Sequence, residues 1–113
     1  MTPKRGEIYY IDTPAGRSGS EQAGRRPAVI VSNDTGNECA GVVTVAFLTT
    51  KMKWLPTHVR TAGCQKPSMV LCEQIATVAK ERLLTYAGRV SDKELKKIDK
   101  ALCISLGIEG VEM

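Results

Sequence analysis

Two adjacent guanidinium groups, Arg25 and Arg26, close a run of small and polar residues, Gly19-Ser20-Glu21-Gln22-Ala23-Gly24. Pro27 then carries the chain into the apolar stretch Ala28-Val29-Ile30-Val31. Glycine, serine and glutamine leave backbone N–H groups free to approach a ligand closely, and arginine offers a planar fork of donors matched to phosphate oxygens. The ligand such a loop expects is an anion. Loops of this composition are also common turn punctuation, and paired arginines are commonly solvated, so the assignment rests on a second match downstream. There the run Thr49-Thr50-Lys51-Met52-Lys53-Trp54-Leu55-Pro56 carries two hydroxyls, two cations and the only tryptophan of the chain.

The elements that must hold these loops belong to a chain of 113 residues with 42% hydrophobic content, the size of one domain with a modest core, taken as residues 1–113. A formal charge of +4 favours a polyanionic partner. Nucleic acid ranks ahead of a membrane, because no long basic amphipathic helix opens the chain. No apolar run approaches the roughly 20 residues that cross a bilayer. Met1-Thr2-Pro3-Lys4-Arg5-Gly6 leads toward a strand and not into a signal-peptide core, so a cytoplasmic location is expected. Cys39, Cys64, Cys72 and Cys103 form no C-x-x-C pair and only one histidine is present, so no metal centre is expected. Cys72 and Cys103 read as small buried hydrophobes, and Cys39 and Cys64 as loop residues beside glycines.

Residues 6–12 are aromatic and β-branched and read as a first strand, 27–31 as a second, stopped by turn-forming residues at 32–37. The nearly continuous apolar run 42–48 reads as a third strand buried on both faces. Residues 57–60 and 68–73 read as two short strands, with further pairing at 75–78 and 86–90 around a helical turn at Lys80-Glu81-Arg82. Short strands at this spacing argue for a small barrel or a strongly curved sheet. Ser91 and Glu94 form a capping box that opens a last helix, in which Leu95, Ile98, Leu102 and Leu106 share a face and Gly107 terminates. The lysines on the rest of this helix read as a solvated face, and the helix as structural.

Several of these pieces together resemble the MazF/PemK family of toxin endoribonucleases. They are Lys4-Arg5-Gly6-Glu7-Ile8-Tyr9, Gly19 to Gln22 through Arg26-Pro27, Ser32-Asn33-Asp34, Leu48-Thr49, Leu55-Pro56-Thr57-His58-Val59 and Glu73-Gln74-Ile75, in order across residues 4 to about 106. The resemblance implies a mainly β chain with helices (α+β), a small SH3-like, CcdB/MazF-type curved β-barrel with a C-terminal helix, acting as a homodimer. It implies ribosome-independent, sequence-specific cleavage of single-stranded RNA (mRNA) without metal or other cofactor, leaving a 2′,3′-cyclic phosphate and a 5′-hydroxyl. It also implies a MazE-like acidic antitoxin as partner. Matched position by position, the catalytic arginine falls on Arg26 and the catalytic threonine on Thr49.

Attack of a ribose 2′-hydroxyl on its own phosphodiester requires loss of a proton, stabilisation of phosphoryl charge and protonation of the leaving 5′-oxygen. Positioned donors aimed at developing charge suit the second task, so Arg26 fits as a clamp or acid and Thr49 as a further donor. A guanidinium makes a poor base. Glu21, the only carboxylate of the first loop, is a candidate base and equally a hydrogen-bond acceptor for the loop or for a base edge. His58, the single imidazole, excludes a two-histidine mechanism within one subunit and reads as a structural or binding residue. Substrate binding is expected from Gly19, Ser20, Glu21, Gln22, Thr50, Lys51, Lys53, Trp54 and Gln74, since unstacked bases stack on aromatic planes and bond through their edges. Trp54 equally fits a place in the core or at a dimer interface. Ala23 stands where the family commonly has glycine, leaving Gly24 to supply positive φ, and the individual loop 50–54 is expected to set sequence choice. A gyrase poison of the CcdB type and a non-catalytic RNA-binding barrel are the alternatives on the same scaffold.

Overall fold

β-branched and aromatic residues dominate the first and third strands of a six-stranded, wholly antiparallel sheet in the computed structural model, which describes residues 2–13 and 24–109. The elements are β1 (Glu7–Thr13), β2 (Gly24–Ile30), α1 (Asp34–Cys39), β3 (Val42–Thr49), β4 (His58–Thr61), β5 (Ser68–Ala79), a 3₁₀ turn (Lys80–Arg82), β6 (Leu83–Arg89) and α2 (Asp92–Leu106). Strand order is β4-β5-β3-β2-β1-β6, so β4 and β6 are the two edges. The sheet curves until the end of β6 reaches the turn that follows β4, where the Arg89 N–H donates to the Gly63 carbonyl at 2.9 Å. Gly24, at the start of β2, takes the expected positive φ, 108°.

Both faces of the central strands are covered, as the run 42–48 suggested. Ile8, Val29, Ala46 and Leu48 join Val59, Val70, Ile98 and Ala101 in a core beneath α2, while Tyr9, Ile11, Ala28, Ile30, Val43 and Val45 form a second core on the opposite face. Alternation along one strand feeds both clusters, because successive side chains point to opposite sides. Among the described residues no helix is long and apolar enough to cross a membrane.

Three expectations are corrected. The cluster 32–37 is not merely a turn: Asn33 accepts from the Gly36 N–H at 2.7 Å and caps α1, and Asn37, fully buried, donates to the Ser32 carbonyl at 2.9 Å. A side-chain acceptor at the cap let turn-forming residues start a helix, and this places Cys39 at the end of α1, where it is exposed. The segments 68–73 and 75–78 form one strand, β5, whose register against β3 jumps between Ala46 and Leu48; its first part pairs both β4 and β3, and its second part pairs β3 alone. Leu106 does not join the buried face of α2 but is 60% exposed, and Cys103 is only half-buried, because the apolar packing ends one turn before the helix does.

The capping box forms as expected, with Glu94 N–H donating to Ser91 Oγ at 3.0 Å and Ser91 N–H to Glu94 Oε1 at 2.9 Å. The same carboxylate accepts from Thr61 Oγ1 at 2.7 Å and the Ala62 N–H at 3.2 Å, which ties α2 to the end of β4. Burial works against its charge, but the donors from Ser91, Thr61 and Ala62 outweigh it and hold the carboxyl below its ordinary value. Its contribution to stability is therefore present above the unfolded carboxylate value of about 4.3 and is lost as pH falls through the lower folded value. Glu94→Gln, which puts an amide donor among these donors, is expected to cost about 2 kcal/mol, a melting drop of roughly 8 °C at neutral pH. That difference should shrink on acidification, as thermal melts of the two proteins from pH 7 to pH 3 will read.

Candidate active site

β1 and β2 pair from Ile8↔Val29 to Thr13↔Gly24, so the two ends of the first polar loop are register partners, and the Thr13 hydroxyl donates to the Gly24 carbonyl. Gly19, Ser20, Glu21 and Gln22 lie outside the described residues. Just beyond them, the backbone before Pro27 is driven to an extended conformation, which sets the direction of Arg26.

Arg26 crosses three neighbouring strands. From β2 its guanidinium carbon sits 4.6 Å from the centre of the Phe47 ring on β3, and its Nη2 donates to Gln74 Oε1 on β5 at 3.3 Å. Phe47 and Thr49 are two residues apart on β3 and so face the same side. The β2–β3 ladder, Ala28↔Phe47, Val29↔Ala46 and Ile30↔Val45, ends at Ala28↔Phe47, and Arg26 and Thr49 each stand two residues beyond that last pair on their own strands. Thr49 Oγ1 accepts from the Lys51 N–H at 3.2 Å, which leaves its own hydroxyl proton available to a further acceptor. Arg26 and Gln74, far apart in the chain, thus meet across β3, whose last residue is Thr49, so that a cationic fork and an amide stand beside the strand end that carries a hydroxyl. Gln74 stands there because of the register jump in β5.

Thr50, Lys51, Lys53 and Trp54 are exposed on the connection from β3 to β4, and Trp54 is 68% exposed, so it does not pack in the protomer core. The Lys53 N–H donates to the Lys51 carbonyl at 3.2 Å and the His58 N–H to the Leu55 carbonyl at 2.9 Å.

His58 has a definite post. Its Nδ1 lies 2.6 Å from the Lys53 carbonyl oxygen, its Nε2 lies 2.7 Å from Glu73 Oε2, and its side chain is 5% exposed. Thr57 Oγ1 donates to Glu73 Oε1 at 2.9 Å. Both ring nitrogens face acceptors, an arrangement only an imidazolium fully satisfies. Burial pulls the His58 pKa down, but Glu73 and the Lys53 carbonyl overcome it and the net shift is upward; Glu73 is pushed up by burial and held down by more by His58 and Thr57. Phe47 and Glu73 were not singled out as site residues in the sequence, although Phe47 stands two residues before Thr49 and Glu73 one before Gln74.

This tether has a pH window. The His58 contribution is complete below its unfolded value of about 6.5 and is lost as pH rises through the higher folded value, while the Glu73 contribution is present above about 4.3 and lost as pH falls through its depressed one. Trp54 and His58 line the same groove, and Trp54 is the only tryptophan, so its fluorescence reads this connection. Its emission is expected to titrate with a midpoint above 6.5, and His58→Gln to remove that titration.

Residues 4–106 match the model of the family described as PemK-like, MazF-like toxin of type II toxin–antitoxin system. The chain is 40% identical to the endoribonuclease MazF of Staphylococcus saprophyticus, over 96% of this chain and 94% of that one. Among solved structures it superposes on an endoribonuclease from a mycobacterial species with a TM-score of 0.84 at 28% identity, covering 98% and 97% of the two chains. A mycobacterial endoribonuclease in complex with its cognate antitoxin gives 0.83 at 30% identity, over 96% and 99%.

Proposed function

The chain belongs to the PemK-like, MazF-like family of toxins of type II toxin–antitoxin systems and is an endoribonuclease, and from that premise we propose that it cuts single-stranded RNA, principally mRNA, at a short sequence without the ribosome and without a metal. The observation that carries this reading is the Arg26 guanidinium set over Phe47 and bonded to Gln74 across β3, the strand that ends in Thr49.

In this reading the 2′-oxygen attacks the adjacent phosphorus as its proton departs. The new P–O2′ bond forms, the P–O5′ bond breaks, and the 5′-oxygen takes up a proton, leaving a 2′,3′-cyclic phosphate and a 5′-hydroxyl. Charge builds on the non-bridging oxygens during this exchange. Arg26, whose guanidinium is steadied by Phe47 and Gln74, and Thr49, whose oxygen already accepts from Lys51, supply donors fixed before the charge appears. Lys51, Lys53 and Trp54 bind the neighbouring phosphates and bases, as do the loop residues Gly19, Ser20, Glu21 and Gln22. The partner is an acidic, MazE-like antitoxin, in keeping with the +4 charge and with the antitoxin complex of the similar mycobacterial protein. The active form is a homodimer in the cytoplasm; Leu106 and Ile108, exposed at the end of α2, offer apolar surface to a second copy.

The test is incubation of the purified protein with long unstructured RNAs in excess EDTA, with the ends mapped by primer extension. Discrete cuts carrying 5′-hydroxyl ends are expected. Intact RNA across several unrelated substrates would overturn the reading.

A further inference from the structure

Resting on the endoribonuclease reading, we propose that the groove between β4 and α2 binds the sugar–phosphate backbone of RNA flanking the cut sequence, as a second contact indifferent to base identity. The groove encloses about 580 Å³. Four cations line it from two separate elements, Arg60 on β4 and Lys93, Lys97 and Lys100 on α2, whereas Lys96 on the same helix does not. Convergence across a concavity distinguishes these lysines from an evenly solvated helix face. Glu94 is the only carboxylate in the lining, and its oxygens are occupied by Ser91, Thr61 and Ala62.

The groove is also joined to the site. Trp54 stands at its rim on the connection that starts at Thr49, and His58, which lines it, holds that connection through the Lys53 carbonyl and is itself held by Glu73, the neighbour of Gln74. A strand lying across Arg26 and Thr49 that continues over the β3–β4 connection reaches a stacking surface and then a row of cations. A backbone bearing one charge per nucleotide, with bases that stack, matches an indole followed by ammonium groups, and such contacts supply affinity without reading sequence.

The test uses two RNAs with the same mapped cut sequence, one of about eight nucleotides and one extended by unstructured flanks of roughly twenty on each side. They are cleaved by the unmodified protein and by Lys93→Gln/Lys97→Gln/Lys100→Gln, whose exposed helical positions accept glutamine. Melting and native mass are recorded for both proteins. The triple variant is expected to raise KM roughly ten-fold for the flanked RNA alone, with kcat and the short RNA unchanged, and to flatten the dependence of log affinity on log salt by about two. Equal KM changes on both RNAs, no change on either, or an altered native mass would overturn the groove assignment while leaving the cleavage reading intact. So would a variant that keeps its preference for flanked RNA but loses binding to a polyglutamate peptide, which would give the groove to an acidic polypeptide. Failure of the unmodified protein to cut either RNA would overturn the endoribonuclease reading, and this inference with it.

Discussion

Arg26→Ala is expected to lower RNA cleavage by roughly 10²- to 10³-fold, the cost of removing one donor aimed at developing charge. The side chain is well suited to show so large an effect on rate with little on stability. It lies half-buried on the outer face of β2, over the Phe47 ring and against Gln74, and belongs to neither core cluster. Its loss opens no interior cavity. Arg26→Lys separates charge from shape: the ammonium keeps the charge but lacks both the planar fork and the flat surface that rests on Phe47, so an intermediate rate is expected. Single-turnover cleavage of one RNA by the three proteins, beside their thermal melts, checks both statements. Full-rate cleavage by folded Arg26→Ala would remove the assignment.

The largest effect on stability is expected where the end of β6 packs on the turn after β4. A methyl group on Gly63 would lie 2.0 Å from the Arg89 carbonyl oxygen, and one on Gly88 would lie 1.9 Å from the Gly63 carbonyl oxygen. Both obstacles are backbone, so no side chain can swing aside. Gly63→Ala must part these two segments and break the Arg89 N–H to Gly63 carbonyl bond at 2.9 Å. A lost backbone hydrogen bond and strained backbone together are expected to cost roughly 3 to 5 kcal/mol, a large share of the 5–15 kcal/mol typical of a domain. Gly88→Ala adds the burden of φ +142°. Gly41, where a methyl would meet nothing within 4 Å, is the control, and Gly41→Ala is expected to change stability by less than about 1 kcal/mol. Urea unfolding of the three variants tests the ranking, and equal midpoints for Gly63→Ala and Gly41→Ala would refute it.

What the sequence by itself determined was local or periodic. Ser91 and Glu94 are three residues apart, so their reciprocal bonds close within one turn wherever the helix lies, and Gly107 ends that helix for reasons equally local. The run 42–48 declared burial on both faces because alternation was missing, and it feeds both cores. The order of short motifs was sufficient to name Arg26 and Thr49 by resemblance. Tertiary structure alone decided what those residues meet. The Phe47 ring beneath the Arg26 guanidinium and the jump in β5 that presents Gln74 to it depend on pairing summed along whole strands. The second duty of Glu94, on Thr61 and Ala62, and the clasp of Lys53, His58 and Glu73 depend on a chain already folded back on itself. Propensity and periodicity act over one or two turns, whereas these contacts join residues on strands and helices brought together only in the assembled fold.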